Sequence, residues 1–265
     1  MMGAASPDRA LAQEPLAIGS TFTVQSAVLG ELRRINVYTP PGAPPGTRLP
    51  VLYLLDGGIA EDFLHIAGLV QVSVGNGTMR PFIVVGIENT QRRRDLTGPT
   101  ASARDSAIAP RVGESAAFRA FLRTELIPEI ERRVPATGER AIIGESLAGL
   151  FVVETFLLEP SAFSTYIAVD PSLWWNDNGF VAESGRVMRT RPGSIATLYI
   201  AHSGEPGIAT LAREFADSLG AGAGPRVRWR LDAMPTEGHA TIFHPAALRA
   251  VRWLFPVPPG SPAGQ

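Results

Sequence analysis

The sequence predicts an α/β fold: a doubly wound, mostly parallel sheet of about eight strands with helices on both faces. Residues 51–55, 82–85 and 141–143 are short, continuous apolar runs bounded by Pro, Asp and Gly, as expected of parallel strands covered on both sides. Such runs alternate along the chain with segments whose apolar residues recur at helical spacing. Ahead of them, residues 21–28 and 32–38 alternate apolar and polar side chains around Gly30, which reads as an antiparallel pair at the sheet edge.

The remaining elements follow in order. Residues 40–50 form a loop before the first central strand. Residues 115–133 place Phe118, Phe121, Leu122, Leu126, Ile127 and Ile130 on one side of a helix, so that face packs on the sheet. After the strand at 141–143 comes a nearly all-apolar helix, 147–158, which must be buried. Strands are expected at 164–169, 196–201 and 226–231, and a last helix at 245–254. Only about two dozen residues separate Asp170 from the next strand, too few for a large cap domain. One catalytic domain is therefore expected over residues 19–255, with tails at 1–18 and 256–265. The loop at 98–113, rich in Ala, Ser, Pro and Thr, is a candidate flap over the site.

A chain of 265 residues can bury one substantial core. Its 24 Lys and Arg nearly balance 25 Asp and Glu, which indicates neither a nucleic-acid surface nor an acidic tail. The chain contains 0 Cys, which removes disulfides, thiol nucleophiles and cysteine metal sites together. No zinc-ligand pattern or phosphate loop is present, and no cofactor is expected. No apolar run reaches the length of about 20 residues that spans a bilayer. Ala10-Leu11-Ala12 is similar to a leader cleavage site but follows no apolar segment, so the start reads either as a cytoplasmic tail or as the remnant of a trimmed periplasmic or secreted form.

The chemistry concentrates at Gly144-Glu145-Ser146-Leu147-Ala148-Gly149. A serine where an apolar strand turns into an apolar helix is held with its hydroxyl exposed at the carboxyl end of the sheet, against a helix N-terminus. Alanine replaces the last glycine of the G-x-S-x-G pattern at position 148. The competing reading is a turn serine that merely caps the helix. A serine nucleophile needs a base, and the base an orienting acid. Of four histidines, His239 lies between the last strand and the last helix, in the order Ser, acid, His; His65, His202 and His244 fit less well. For the acid, Glu205 follows the strand at 196–201 and comes first, with Asp170, ending the strand before it, as the alternative. An oxyanion needs backbone donors, expected from Leu147 and from Gly57 or Gly58.

With these residues in view, the chain resembles the esterase D and enterobactin-esterase-like branch of the α/β-hydrolase superfamily. The resemblance is carried by Val51-Leu52-Tyr53-Leu54-Leu55-Asp56-Gly57, Arg94-Asp95-Leu96-Thr97, Ile143 through Phe151, Asp170-Pro171-Ser172-Leu173-Trp174-Trp175 and Gly238-His239. It implies a serine hydrolase acting on small carboxylic esters or thioesters, with Ser146 as nucleophile, His239 as base and Glu205 at the position of the acid, Asp170 supporting.

Trp174 and Trp175 are candidate walls of the substrate pocket, against the alternative that they divide between core and rim. Arg94, in Arg92-Arg93-Arg94, is a candidate contact for an anionic substrate group, against the plainer reading of a structural ion pair. The leading expectation is ester hydrolysis without a cofactor. Acyl transfer from the same acyl-enzyme and a non-catalytic binding protein on this fold are the alternatives.

Overall fold

A computed structural model describes residues 15–41, 46–190, 195–225 and 227–258. Residues 1–14 of the tail expected at 1–18, residues 259–265 of the tail expected at 256–265, part of the loop at 40–50, and Arg226 at the head of the expected last strand lie outside the described residues. In chain order the elements are β1 (Ser20–Ser26), β2 (Glu31–Tyr38), β3 (Leu49–Leu54), α1 (Phe63–Gly75), β4 (Ile83–Ile87), α2 (Arg92–Asp95), α3 (Ala103–Ser106) and α4 (Ser115–Phe121). A π-helical turn, Leu122–Leu126, joins α4 to α5 (Ile127–Arg133). Then come β5 (Ala136–Glu145), α6 (Leu147–Leu158), β6 (Thr165–Val169), α7 (Trp175–Arg189), β7 (Ala196–Ser203), α8 (Pro206–Gly222), β8 (Val227–Met234) and α9 (Phe243–Leu254).

The eight strands form one sheet in the order β1-β2-β4-β3-β5-β6-β7-β8. β2 pairs antiparallel with both β1 and β4, and all pairs from β4 to β8 are parallel. The expected edge hairpin is therefore present, turning at Gly30 with φ +69°. Central strands carry no exposed face: every residue of β3, β4 and β6 is buried, which is why they read as unbroken apolar runs.

Two apolar layers cover the sheet. Side chains of α4 to α8 pack on one face, including Phe118, Phe151, Trp175 and Phe215; α1 and α9 cover the other with Phe63, Ile66, Ala246 and Ala250. The helix expected at 115–133 is broken by the π turn, with Pro128 at the start of α5. β4 and β5 lie on opposite sides of β3, so the connections leaving β3 and β5 diverge and open a crevice at the carboxyl ends of the strands. Ser146 stands at that crevice.

Candidate active site

β5 ends at Glu145 and α6 begins at Leu147, leaving Ser146 alone to turn the chain. It does so at φ 60° and ψ −119°, a backbone conformation disfavoured for a residue with a Cβ. The turn is tied to β6: Ser146 N–H donates to the Val169 carbonyl at 3.0 Å, and Ser172 N–H donates to the Ser146 carbonyl at 3.0 Å. Close packing explains the flanking small residues. A Cβ on Gly144 would come within 2.6 Å of the Ala148 methyl, and one on Gly149 within 2.9 Å of the Val169 carbonyl oxygen. Ala148 can thus replace the motif's last glycine because Gly144 leaves room for its methyl group.

At the end of β6, Asp170 is fully buried, with φ 43°. One carboxylate oxygen accepts the Ser203 N–H at 2.6 Å; the other lies 2.7 Å from His239 Nδ1. The imidazole is therefore anchored through Nδ1, leaving Nε2 for a reacting group. That hydrogen bond is the largest cause raising the His239 pKa above its ordinary value; burial opposes it, and the charges of Asp170, Glu145 and Glu205 add to it.

Glu205, expected to orient the imidazole, does not. Its side chain accepts the main-chain N–H of His239 at 2.9 Å and so fixes the loop that carries the ring. The reason is geometric: β6 adjoins β5 in the sheet, whereas β7 lies one strand, about 4.8 Å, further away. A short carboxylate at the end of β6 meets the ring, one residue after the Val169 carbonyl that accepts the Ser146 N–H. The order Ser, acid, His holds for Asp170 as well.

The expected oxyanion donors divide. Leu147 is the first residue of α6, so its N–H has no carbonyl one turn earlier to bond. Gly57 and Gly58 differ from expectation: Gly57 N–H donates to the Ile87 carbonyl at 2.9 Å, and Gly58 N–H to Glu61 Oε2 at 2.7 Å. Gly57 is demanded by packing, since a Cβ there would lie 2.3 Å from the Ile87 nitrogen.

Trp175 is completely buried and its Nε1 donates to the Gly98 carbonyl at 2.9 Å, so it belongs to the core rather than to a substrate wall. Trp174 is half-buried at the rim, with the Arg104 guanidinium 5.5 Å from its ring centre. Arg94 turns inward to a structural ion pair, the plainer of its two expected readings. It is buried, bonds both oxygens of Glu31 at 3.0 and 2.7 Å, and donates to Asp95 at 2.6 Å. The three-arginine run divides because Arg94 turns inward, while Arg92 holds the Asp56 carboxylate through two hydrogen bonds of 2.7 and 2.8 Å.

Two residues at the site were not singled out from sequence. Ser172 Oγ lies 3.3 Å from Ser146 Oγ. Glu145, beside the nucleophile, has its Oε1 buried without a hydrogen-bond partner. For Ser172 the signal was its place two residues after a strand-end Asp; for Glu145, only its adjacency to the serine. Among the described residues no cluster of His, Cys, Asp and Glu could hold a metal ion, and no helix is long and apolar enough to cross a membrane.

Sheet order and the strained serine elbow define an α/β-hydrolase fold, with an Asp170-bound imidazole at the same end of the sheet. A family model described as "Putative esterase" matches residues 26–203, and the chain belongs to that family. It is 36% identical over 162 residues to the ferri-bacillibactin esterase BesA of Bacillus subtilis, covering 54% of each protein. To the apo-salmochelin esterase of Escherichia coli it is 30% identical over 186 residues, 64% of this chain and 55% of that protein. The chain thus spans about half the length of these curated relatives. A solved IroE-like serine hydrolase from Shewanella oneidensis superposes with a TM-score of 0.82 at 27% identity, over 89% of this chain and 80% of the other.

Proposed function

We propose that this protein is a serine ester hydrolase. Ser146 attacks the acyl carbon, His239 takes the hydroxyl proton through Nε2 and returns it to the leaving alkoxide, and Asp170 holds the ring in the required tautomer and stabilises the imidazolium. The Leu147 N–H, at the head of α6, donates to the oxyanion, with the helix dipole behind it. Water then releases the acid from the acyl-enzyme. The observation that carries this reading is the 2.7 Å Asp170–His239 hydrogen bond beside a strained serine turn.

The relatives' names support the ester bond as the target, and siderophore esters as the first substrates to try. Trp174, the partly exposed member of the tryptophan pair, is the aromatic side chain to test against such a substrate. A fluorophosphonate probe should label Ser146, and Ser146→Ala should abolish labelling together with hydrolysis of p-nitrophenyl esters, a feruloyl ester and a catecholate trilactone. Labelling of another residue, or hydrolysis that survives the substitution, overturns the reading.

A further inference from the structure

β6 ends at Val169, and Asp170-Pro171-Ser172 then brings the chain back against the elbow. Its course is fixed along its whole length. Asp170 N–H donates to the Ala201 carbonyl at 2.8 Å, the ring of Pro171 sets its own φ, and Ser172 N–H donates to the Ser146 carbonyl at 3.0 Å. Gly149 of α6 leaves room for this turn, since a Cβ there would lie 3.1 Å from the Pro171 Cα. Ser172 is buried as a result, and its Oγ lies 3.3 Å from Ser146 Oγ.

Chemistry decides which oxygen donates. The Ser146 proton leaves for His239 Nε2 as Oγ attacks, and in the acyl-enzyme Oγ carries the acyl group and no hydrogen. From that step on Ser146 Oγ can only accept, so Ser172 is the donor. Between two neutral hydroxyls 3.3 Å is long, but a charged acceptor oxygen draws such a donor to about 2.5–2.7 Å.

We propose that Ser172 is a further catalytic residue: its hydroxyl donates to Ser146 Oγ and stabilises that oxygen as the leaving group when the acyl-enzyme is hydrolysed. The proposal rests on the serine-hydrolase reading. In acylation the bond has opposed effects, stabilising Oγ as its proton departs and weakening its lone pair for attack, so little net effect remains. In deacylation, water adds to the acyl carbon and gives its proton to His239 Nε2. The Oγ–acyl bond then breaks, its electron pair goes to Oγ, and the imidazolium returns the proton to Oγ. Charge grows on Oγ while Ser172 donates to it, and the Ser172 proton stays on Ser172 throughout.

The test uses p-nitrophenyl acetate, whose good leaving group makes deacylation limiting, so that kcat reports deacylation and kcat/KM the steps up to acylation. Wild type, Ser172→Ala and Ser172→Thr are compared as the full chain, with the rate of fluorophosphonate labelling at Ser146. Ser172→Ala should lower kcat about 10- to 100-fold, the loss of one hydrogen bond to a charged oxygen, with KM falling by the same factor. p-Nitrophenolate should then appear in a burst stoichiometric with labelled Ser146, while kcat/KM and the labelling rate stay close to wild type. Ser172→Thr keeps the hydroxyl and should restore kcat; Ser172→Gly repeats the deletion if the alanine variant does not fold. A merely structural serine would change the fraction of protein that is labelled and leave KM and the burst per labelled site unmoved. If Ser146 is labelled and esters are cleaved, but the deletion keeps the wild-type kcat or loses kcat/KM in step with kcat, the proposal is wrong and the hydrolase reading stands. If wild type is not labelled at Ser146 and cleaves no ester, both fall.

Discussion

Asp170 and His239 stand 69 positions apart in the chain and meet at 2.7 Å, the carboxylate buried and the imidazole part-exposed. Glu205 touches the same histidine only through its main-chain N–H. The two carboxylates should therefore fail differently. Asp170→Asn leaves a side chain of the same shape that can present its amide to Nδ1 and stabilise the wrong tautomer, so kcat should fall by about 10⁴-fold. Glu205→Gln weakens one charge-assisted hydrogen bond to the loop, and kcat/KM should fall by about tenfold or less, the loss of roughly one such contact. Steady-state kinetics on both variants decide; a larger loss for Glu205→Gln would return the acid role to that residue.

Two carboxyl groups at the site make stability depend on pH near neutrality. Burial, with Asp62, Asp170 and Asp56, pushes Glu145 from 4.5 to about 7; burial, with Asp56 and Glu61, pushes Asp62 from 3.8 to about 6. A carboxyl raised in the folded state binds its proton more tightly there than in the unfolded chain. Its contribution is fully present below the unfolded value and is lost as pH rises through the folded one. Glu145→Gln should thus raise Tm above the pH where Glu145 ionises, and leave it nearly unchanged at acid pH where both side chains are neutral. Thermal unfolding across the range from 4.5 to about 7 and beyond measures this; a constant Tm difference would show that ionisation of Glu145 is not its cause.

The elbow should tolerate change on one side only. Gly144→Ala drives a methyl to 2.6 Å from the Ala148 Cβ and 2.7 Å from its carbonyl carbon, where backbone rather than a flexible side chain must yield. Overpacking of this kind costs about 1–3 kcal/mol and here would also move Ser146, so both Tm and probe labelling should drop. Ala148→Gly restores the fuller glycine pattern. It removes a contact and adds backbone freedom in the first turn of α6, for a stability loss of about 1 kcal/mol, with labelling of Ser146 retained.

Adjacent tryptophans offer a contrast of the same kind. Trp175 is fully enclosed with its indole N–H bonded, so Trp175→Ala should cost about 3–5 kcal/mol in stability. Trp174 sits at the rim under Arg104. Trp174→Ala should leave Tm close to wild type and raise KM for aromatic esters more than for p-nitrophenyl acetate. Equal effects on the two substrates would remove Trp174 from the pocket.

The strands and the elbow were legible because their patterns follow from burial. Residues 51–55 are apolar throughout since β3 has neighbours on both sides and helices on both faces, and Leu147–Leu158 matched at both ends since the serine turn begins it and every residue before the terminal Leu158 is buried. The π turn within 115–133 was not legible: its residues keep helical spacing, and only Pro128 marks a change. At the site, chain order selected His239 but fitted two acids equally well. Which carboxylate meets the ring depends on the spatial order of β5, β6 and β7, and spacing along the chain does not contain that order. Gly57 and Gly58 read as oxyanion donors because glycine permits close approach; the close approach they make is to Ile87, Glu61 and Glu88.

Arg94 separates a structural cation from a substrate-binding one. Its guanidinium is held by Glu31 and Asp95, and Asp95 is also paired with Arg33 at 2.6 Å, a network at the base of the loop after β4. The Arg94 hydrogen bond is the largest cause holding the Glu31 carboxyl down to about 2; burial opposes it, and Thr90 and Arg33 assist. A carboxyl lowered in this way stabilises the fold above its ordinary pKa and loses that contribution only as pH falls towards about 2, so the pair is intact throughout the working range. Arg94→Met removes one of two cations and leaves Glu31 and Asp95 to share Arg33 in a site with little water. Breaking a buried pair from one side costs up to about 3–5 kcal/mol where the remaining charge has no other partner; here Arg33 retains part of the pairing, so the fall in Tm should be smaller but clear. For the protein that remains folded, KM for neutral and anionic esters should be unchanged relative to one another. A selective rise in KM for the anionic ester, with Tm unaffected, would restore Arg94 to the substrate pocket.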